Sequence, residues 1–350
     1  MRVRLADVAA RAGVHPATAS RALNEATRSR ISPDTVEKVR KAAQELKYSP
    51  NPAAQSLATN KTSTIGVVIG NLTVPLFPPL LLGVDDVLSE AGYTALIVNT
   101  DNSPARERAR LAALQARRVD GLLVATATIG AGGDPVVYTD LAPTVFVVRA
   151  SADPVAPSVI SDDYAGVHSV IDHLASLGHR RIAHIGGPPN ISTAITRLRA
   201  YREALFERQL PLEPQLVTHV ENIEADAGTA AMERLLADSE ANFTAVLAFN
   251  DLVAFGAYRA LRAQGLRCPE DISIVGYTDM TGADLVDPPL TTVAVDHHAM
   301  GQEAARMLLG MLQDRGVRTP HSVRLPVELK VRESTSAPRR APGLEPRRAS

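Results

Sequence analysis

Short polar and basic side chains cluster near the start of the chain, at a spacing suited to contact with a nucleic acid. Residues 5–24 read LADVAARAGVHPATASRALN, which predicts a helix, a sharp turn at Gly13 and a second helix beginning at Pro16. The second helix would present Ala17, Thr18, Ser20 and Arg21. This pattern is typical of a helix-turn-helix, whose second helix places its first residues at base edges in the major groove. An ordinary surface helical hairpin is the alternative at this point.

Side chains that could support catalysis or bind a metal form no recognisable site. His168 and His173 fall on different faces of a helix, and His297 and His298 are adjacent. The sequence has no H-E-x-x-H, G-x-S-x-G or Walker-type motif, and the Gly186–Gly187 pair lacks the dinucleotide-binding pattern. An ATP-dependent sugar kinase with a DNA-binding head is the best enzymatic alternative, but we find no phosphate loop for it. We therefore expect no enzyme, no metal site and no cofactor.

The composition indicates a globular protein with a basic N-terminal part. The chain has 350 residues, 45% of them hydrophobic, which is enough for two or three compact units. Residues 1–61 contain eleven Lys and Arg against five Asp and Glu, a net of +6, so the remainder carries −7. A basic head on an acidic body fits phosphate binding by the head. The single cysteine, Cys268, excludes an intramolecular disulfide, and the absence of an apolar signal or membrane-length run predicts a cytoplasmic protein.

A third helix and a long α/β segment must position these groups. Residues 32–48 predict a helix that begins with the cap Ser32 and Pro33 and closes a small core in the head. From Thr64 onward, short β-branched apolar runs alternate with helical patterns, in two successive series. Two runs of β-α units predict two doubly wound parallel-sheet lobes, with a ligand cleft between the carboxyl ends of their strands.

Ordered motifs along the whole chain are similar to those of the lactose-repressor (LacI) family of bacterial transcription regulators. The N-terminal DVAARAGVHPATASRALN resembles the signature of that family. Further counterparts follow in order: RERARL (106–111), RRVDGLLV (117–124), LGHRRIAHIGGPP (177–189), the pair Asn250–Asp251, GLRCPEDISIVGY (265–277), PPLTTV (288–293) and VELKVREST (327–335). The resemblance covers residues 5–335 and implies a helix-turn-helix head, a hinge helix and two lobes of the periplasmic-binding-protein type.

The resemblance implies which residues contact DNA. They are His15, Pro16, Ala17, Thr18, Ser20, Arg21, Asn24 and, in the hinge, Leu57 as a wedge in the minor groove. Pro16 and Ala17 cannot form paired hydrogen bonds, so we expect apolar contacts with thymine methyl groups from them and a guanine contact from Arg21. The family usually has Ser in place of His15, and histidine is a poorer helix cap than serine. Gln55 and Ala58 stand where basic residues are usual, which should weaken phosphate contact. A plain linker is the alternative to a hinge.

The resemblance also implies which residues bind a small effector. They are Phe77, Arg149, Asp162, Arg197, Asn250 and Thr278. Phe77 could stack on a ring, and Arg197 could donate paired hydrogen bonds to a ligand oxygen. The alternatives are that Phe77 belongs to the core and that Arg197 caps a neighbouring strand. Thr278 stands where the family commonly has Asp, and Arg149 follows Val148 where an Asp-Arg pair is usual. With fewer carboxylates and two arginines, the cleft is expected to favour an anionic ligand.

These observations predict a homodimeric, effector-controlled transcription repressor. Two heads would read a near-palindromic double-stranded operator, and a carbohydrate-derived effector would change the angle between the lobes. The expected segments are the head at 1–48, the hinge at 49–61, the body at 62–335 and a disordered tail at 336–350. Within the body we expect a first lobe at 62–160 and 292–318 and a second lobe at 161–291 and 319–335. A ligand-binding module without DNA function is the non-enzymatic alternative.

Overall fold

The computed structural model describes residues 3–24, 27–48, 61–129, 138–153, 155–238, 242–313 and 322–339. The chain divides into two units, an N-terminal head that ends at Ser63 and a body that begins at Thr64. The predicted hinge, residues 49–61, lies almost wholly outside the described residues, and so does Leu57.

The described part of the head contains three α-helices, α1 Leu5–Ala12, α2 Pro16–Leu23 and α3 Pro33–Glu45. Gly13 ends α1 with a left-handed φ of 66°, and the N–H groups of Gly13 and Val14 donate to carbonyls of the last turn. A residue with a Cβ would be strained there, so glycine sets the sharp turn between the helices. The helix-turn-helix prediction is confirmed.

A small apolar core holds these helices together. Its buried residues are Val8, Ala9, Ala19, Ala22, Val36, Val39, Ala42 and Ala43. An ion pair of 2.6 Å between Arg11 and Glu45 joins α1 to α3. Ser32 precedes α3 as predicted, but its hydroxyl donates to the Thr35 hydroxyl (2.8 Å) and caps no backbone N–H. Helix α3 therefore begins at Pro33 without the expected side-chain cap, and its packing in the core of the head holds it in place.

The body consists of two α/β lobes, each built on one six-stranded sheet. The first lobe contains β1 Thr64–Ile69, α4 Phe77–Glu90, β2 Thr94–Asn99, α5 Pro104–Ala116, β3 Gly121–Val124, β4 Thr144–Val147, β5 Ser158–Ser161, α10 His297–Gln313 and β11 Ser322–Leu325. The second lobe contains α6 Asp163–Ser176, β6 Ile182–Gly186, α7 Ser192–Glu207, β7 Val217–His219, α8 Ala225–Ala237, β8 Ala245–Ala248, α9 Asp251–Ala263, β9 Ser273–Thr278, β10 Thr291–Val295 and β12 Val327–Lys330.

The two sheets have corresponding strand orders, β11-β5-β4-β3-β1-β2 and β12-β10-β9-β8-β6-β7. Every pairing is parallel except that of β12 with β10, which is antiparallel. The central strands β3, β4 and β8 are buried along their whole length, as expected for apolar strands covered by helices on both faces. The prediction of two doubly wound lobes is confirmed.

The chain crosses between the lobes three times, and the later crossings differ from the expected positions. The first follows β5, which ends at Ser161, close to the expected boundary. Strand β10 pairs with β9 through Ala294 and with β12 through Val295, so the return to the first lobe comes after residue 295 and not at 292. Strand β11 pairs with β5 in the first sheet, so the last crossing lies at Pro326 and not near 319. Strand β10 ends at Val295 and strand β11 at Leu325. The alternating exposure of β11 at the edge of its sheet left no buried apolar run that would have marked it in the sequence.

The start of the expected disordered tail is packed on the second lobe. The Ser336 carbonyl lies 2.8 Å from His179 Nε2, and its N–H donates to the Ser273 hydroxyl (3.1 Å). Arg339 pairs with Asp271 at 2.8 Å. The expectation of disorder is therefore wrong for residues 336–339, because these backbone groups have partners in the fold; residues 340–350 lie outside the described part.

Two glycines allow α4 and α10 of the first lobe to pack backbone against backbone. A Cβ on Gly83 would lie 2.0 Å from the His298 carbonyl oxygen, and a Cβ on Gly301 would lie 2.1 Å from the Leu80 carbonyl oxygen. Any side chain at either position would push the helices apart.

Among the described helices of the chain, none combines the length and the apolar character that crossing a membrane requires.

Candidate functional site

Helix α2 presents its polar and basic side chains to solvent. His15, Pro16, Ala17, Ser20 and Arg21 are exposed, and Ala19 and Ala22 on the opposite face are buried. Thr18 and Asn24 are half-buried. The described residues expected to contact DNA therefore lie together along one short helix and its two ends.

His15 caps α2, although histidine is a weak choice for that position. Its Nδ1 accepts a hydrogen bond of 3.2 Å from the Ala17 N–H, and Pro16 occupies the first helical position. This bond requires Nδ1 to be unprotonated, which leaves the ring's Nε2–H free to donate to an acceptor such as a phosphate oxygen.

Two basic residues that follow α2 were not among the DNA contacts predicted from the sequence. Arg28 and Arg30 lie on a short 3₁₀ helix, Arg28–Arg30, and Arg30 is exposed. Thr27 fastens this segment to α2, because its hydroxyl donates to the Arg21 carbonyl at 3.1 Å. The basic tripeptide Arg-Ser-Arg was the available signal.

In the body, a cavity opens between the two lobes at the carboxyl ends of their strands. Five of the six residues expected to bind an effector line it: Phe77, Arg149, Arg197, Asn250 and Thr278. Apolar walls come from both lobes, including Val148 from the first and Phe249 from the second. An apolar cavity with a few convergent polar groups is the usual form of a small-molecule site.

Hydrogen bonds close the lobes on each other beside this cavity. The Ala150 N–H donates to the Ser192 hydroxyl at 2.9 Å, and the Ile129 N–H donates to the Asn190 carbonyl at 2.6 Å. Ala150 and Ile129 follow strands of the first lobe, while Asn190 and Ser192 precede or begin α7 of the second. The relative placement of the lobes therefore depends on contacts at the rim of the cavity.

Arg197 lines the cavity, but protein groups already hold its guanidinium. One terminal nitrogen donates to the Phe249 carbonyl at 2.7 Å and the other to Asp163 at 3.0 Å. The guanidinium also stacks over Tyr277, 3.6 Å from the ring centroid. Only Nε lacks a partner among the described residues. The two terminal nitrogens of Arg197 are therefore engaged within the protein and are not available for paired hydrogen bonds to a ligand. Arg197 instead caps the end of a strand, which was the alternative that the sequence left open.

Arg149 is presented to the cavity by an unusual turn. The Arg149 N–H donates to the Val147 carbonyl at 2.7 Å, and Val148 between them has a φ of 67°. A hydrogen bond from residue i+2 to residue i around a positive φ defines the rare and strained form of the γ-turn. Burial lowers the pKa of Arg149 to about 10, while the nearby Glu107 and Tyr138 act in the opposite direction.

Asn250 and Thr278 present only part of their hydrogen-bonding capacity to the cavity. The Asn250 side-chain oxygen caps α9 by accepting from the Val253 N–H at 3.0 Å, which leaves its NH₂ group for a ligand. The Thr278 hydroxyl donates to the buried Asp251 at 3.3 Å. Asp251 also accepts from Thr292 and from the Met280 N–H, both at 2.6 Å, and burial raises its pKa to about 6.

Asp162, the sixth expected residue, does not line the main cavity. It caps α6 by accepting a hydrogen bond of 3.1 Å from the Ala165 N–H. It borders a smaller adjoining cavity, together with Tyr164, Thr196 and Arg324. Ligand contact by Asp162 stays a prediction.

Several polar residues of the main cavity were not identified from the sequence. These are Asn71, Asn102, Ser161, Asn222, Glu224 and His297. Most of them end or closely follow a strand, so the rule that ligands meet the carboxyl ends of parallel strands could have found them. Burial lowers the pKa of His297 to about 4, so its ring is neutral at pH 7 and can accept a hydrogen bond.

Among the described residues, no group of three or more His, Cys, Asp or Glu side chains is placed to hold a metal. The cavity therefore offers hydrogen-bond donors, acceptors and aromatic faces for ligand binding. The head offers a basic, exposed helix.

Comparisons with known proteins agree with both halves of this description. The family described as bacterial regulatory proteins of the lacI family matches residues 4–51, and a periplasmic-binding-protein-like domain matches residues 171–335. The chain is 34% identical over 335 residues to the HTH-type transcriptional repressor PurR of Haemophilus influenzae, covering 95% of this chain and 98% of that protein.

Solved structures of similar proteins give the same result. A lac repressor dimer bound to operator and the anti-inducer ONPF has a TM-score of 0.82 and 30% identity, covering 96% of this chain and 100% of that one. The transcriptional regulator CelR in complex with cellobiose has a TM-score of 0.72 and 33% identity, covering 95% of this chain and 100% of that one. With this identity over nearly its whole length, the chain belongs to the LacI family of bacterial transcription regulators.

Proposed function

We propose that this chain is a DNA-binding transcription repressor whose affinity for its operator is controlled by a small sugar or sugar derivative bound between the two lobes. The observation that carries the proposal is the pairing of an exposed helix-turn-helix with an interlobe cavity lined by polar groups from both lobes. The proposal includes no catalytic step, since the relatives named above are regulators. A protein with this role works in the cytoplasm, where bacterial DNA lies.

In the proposed complex, α2 lies in the major groove of the operator. Arg21 donates to a guanine, while Pro16 and Ala17 make apolar contacts with thymine methyl groups. His15, Thr18, Ser20 and Asn24 contact the backbone or neighbouring bases, and Arg30 adds a phosphate contact. The exposure of His15, Pro16, Ala17, Ser20 and Arg21 on one side of α2 supports this arrangement.

The effector binds in the cavity of the body. Phe77 and Phe249 provide aromatic faces, and the NH₂ group of Asn250 and the Thr278 hydroxyl form hydrogen bonds with ligand oxygens. A similar regulator, CelR, has been solved with cellobiose, which supports a carbohydrate-derived ligand here. Arg197 acts through protein contacts, by fixing Asp163 and the end of β8 at the cavity wall.

Control follows from the connection between the lobes. Three chain crossings allow the lobes to rotate, and a ligand that prefers one angle shifts the population towards it. Because the coupling is reciprocal, operator and effector must change each other's affinity by the same factor. A similar repressor has been solved as a dimer on its operator, and two heads related by a two-fold axis here would read a near-palindromic site.

The decisive test is operator selection from random double-stranded DNA, followed by anisotropy titrations of the selected site. We expect a near-palindromic consensus and an affinity that falls steeply with salt, because phosphate contacts release counterions. Arg21→Ala should weaken binding by about 10- to 100-fold and relax one base position, since a base contact contributes about 1–3 kcal/mol. Arg199→Ala, on an exposed face of α7, is the matched control. Selection of no consensus sequence would overturn the proposal.

A further inference from the structure

Arg149 is a cation with open hydrogen-bond donors at the wall of the effector cavity. No hydrogen bond joins its guanidinium to any of the described residues, although the side chain is more than half buried. A buried guanidinium that lacks acceptors loses the water that would stabilise its charge. A ligand that supplies an anionic oxygen restores that stabilisation with charge-assisted hydrogen bonds.

The other charged residues around the cavity are paired or hydrogen-bonded within the protein, or are exposed at its rim. Arg197 is neutralised by Asp163. Glu107 lies near enough to Arg149 to favour its charged form, but the carboxylate oxygen already accepts hydrogen bonds from the hydroxyls of Thr126 (2.6 Å) and Tyr138 and forms none with Arg149. Glu224 is exposed at the rim. Among the described charged residues that line the cavity, Arg149 is thus the cation available to a ligand.

Neutral β-branched residues occupy two strained positions, one in each lobe. Val148 follows β4 with a φ of 67°, and Thr278 ends β9 with a φ of 106°. Left-handed backbone is unfavourable for β-branched residues and is tolerated far better by Asn and Asp. Such strain is typical of functional sites. Both positions therefore hold a strained backbone at the cavity wall while presenting no carboxylate to the ligand.

From these contacts we propose that the effector of this chain carries an anionic oxygen group, a carboxylate or a phosphate, on a hydroxylated body. Arg149 binds the anionic group, and Val148 and Thr278 determine specificity by keeping negative charge away from it. This inference rests on the proposed effector site in the body. It assigns the binding of the anionic group to Arg149 and not to Arg197, since Arg197 is occupied by Asp163 and the Phe249 carbonyl.

The test uses the full chain and matched pairs of probes that differ in charge: glucose with glucuronate, galactose with galacturonate, glucose with glucose 6-phosphate, and ribose with ribose 5-phosphate. Melting temperature is the first readout, because a ligand that binds only the folded state must raise it. Isothermal titration then gives the affinities of both members of a pair. We expect at least one acid or phosphate to bind about 10- to 100-fold more tightly than its neutral partner, as a charged hydrogen-bond pair allows. The carboxylate and phosphate pairs separate the two possible anionic groups.

Four variants assign the effect to residues. Arg149→Gln and Val148→Asp should each abolish the preference for the charged member, the first by removing the cation and the second by placing a carboxylate beside it. Glu224→Gln should keep or strengthen the preference, because it removes a negative charge from the rim. Arg199→Gln makes the same chemical change as Arg149→Gln on an exposed helix face and should leave all affinities unchanged. Melting temperature without ligand shows that each variant is folded.

Equal binding of a neutral sugar and its acid, unaffected by Arg149→Gln, would overturn the inference and leave the effector site intact. The inference would also be overturned if no acid or phosphate bound at concentrations up to about 10 mM. If operator affinity in addition responds to no probe, the effector part of the proposed function fails as well. The operator titrations of the DNA-binding head are independent of all these results.

Discussion

The hydroxyl of Ser192 accepts a hydrogen bond of 2.9 Å from the backbone N–H of Ala150, and this bond joins the second lobe to the first beside the cavity. Ser192 is the first residue of α7, the helix that also carries Arg197. A single side-chain oxygen therefore connects the turn that presents Arg149 to the helix that forms the opposite wall.

Ser192→Ala should lower the free energy of unfolding of the body by about 1 kcal/mol, the usual net contribution of one hydrogen bond. It should also weaken binding of any ligand that requires the closed lobes. Urea unfolding measures the first effect and isothermal titration the second. Ser176→Ala, which removes an exposed hydroxyl on α6, is the control. An unchanged ligand affinity in Ser192→Ala would show that the bond does not hold the lobes together.

The buried pair of Arg197 and Asp163 should be expensive to break. Arg197→Met leaves a buried carboxylate and an unpaired Phe249 carbonyl, so we expect a loss of about 3–5 kcal/mol in unfolding free energy. The double variant with Asp163→Asn should lose less than the sum of the single losses, because no uncompensated charge remains. Additive losses in the urea-unfolding cycle would contradict a direct interaction.

Asp251 should give the body a characteristic pH dependence. Burial raises its pKa from 3.8 to about 6, so between these values the native state binds more protons than the unfolded state. Its contribution to stability is therefore greatest below about pH 4 and falls as pH rises to 6. Relative to Asp251→Asn, the wild type should lose about 3 kcal/mol across that range.

Urea unfolding of both proteins at pH 4, 5, 6 and 7 measures this difference. Burial lowers the pKa of His184 and of His297 to about 4, which gives the opposite slope, but these terms cancel because both proteins contain them. A difference that stays constant with pH would show that Asp251 titrates at its ordinary pKa.

Gly83→Ala should strongly destabilise the first lobe. The new Cβ would lie 2.0 Å from the His298 carbonyl oxygen, and the backbone on both sides cannot yield cheaply. We expect a loss of about 3 kcal/mol, at the upper end for overpacking. Gly310→Ala, in the same helix pair but with nothing within 4 Å, should be neutral or stabilising by about 0.5–1 kcal/mol. Thermal unfolding distinguishes the two, and equal effects would exclude a close backbone approach as the cause.

His15→Ala should loosen the start of α2, because the Ala17 N–H loses its acceptor. A lost N-cap costs about 1 kcal/mol. Hydrogen exchange of residues 15–23 in the full chain, read by mass spectrometry, should become about fivefold faster in this variant, in line with that loss. His15→Ser restores a good cap and should return exchange to the wild-type rate or slow it further; faster exchange in both variants would refute a capping role.

The sequence predicted regular elements best where apolar periodicity was strong. The β-branched apolar runs that begin at Thr64 correspond to strands such as β1, β3 and β8, and the helical patterns between them to helices such as α5, α7 and α8. Strands β5, β7 and β11 carried a weaker signal, because each contains only one or two apolar residues, and β7 and β11 are only partly buried at sheet edges. Helix α10 has apolar residues at helical spacing, among them Met300, Ala304 and Leu308, but it also contains Gly301, which the packing with α4 requires and which lowers helix propensity.

The candidate site was predictable in membership but not in the state of each side chain. Strand ends and the family resemblance identified Phe77, Asn250 and Thr278 as cavity residues. That Arg197 is held by Asp163 depends on a tertiary contact between α7 and the start of α6, which spacing does not reveal. The turn at Val148 could not be foreseen, because β-branched residues normally avoid positive φ.

The edge strands β11 and β12 lie side by side in the sequence yet complete different sheets. During synthesis, the first lobe therefore cannot finish its sheet until residue 325 has been added, and the second cannot finish until residue 330. The core of the head is complete within the first 48 residues, so the two parts mature at very different times. A nascent or truncated chain that stops near residue 320 would expose β5 and β10 as open edges in both lobes at once, which makes such fragments prone to aggregation.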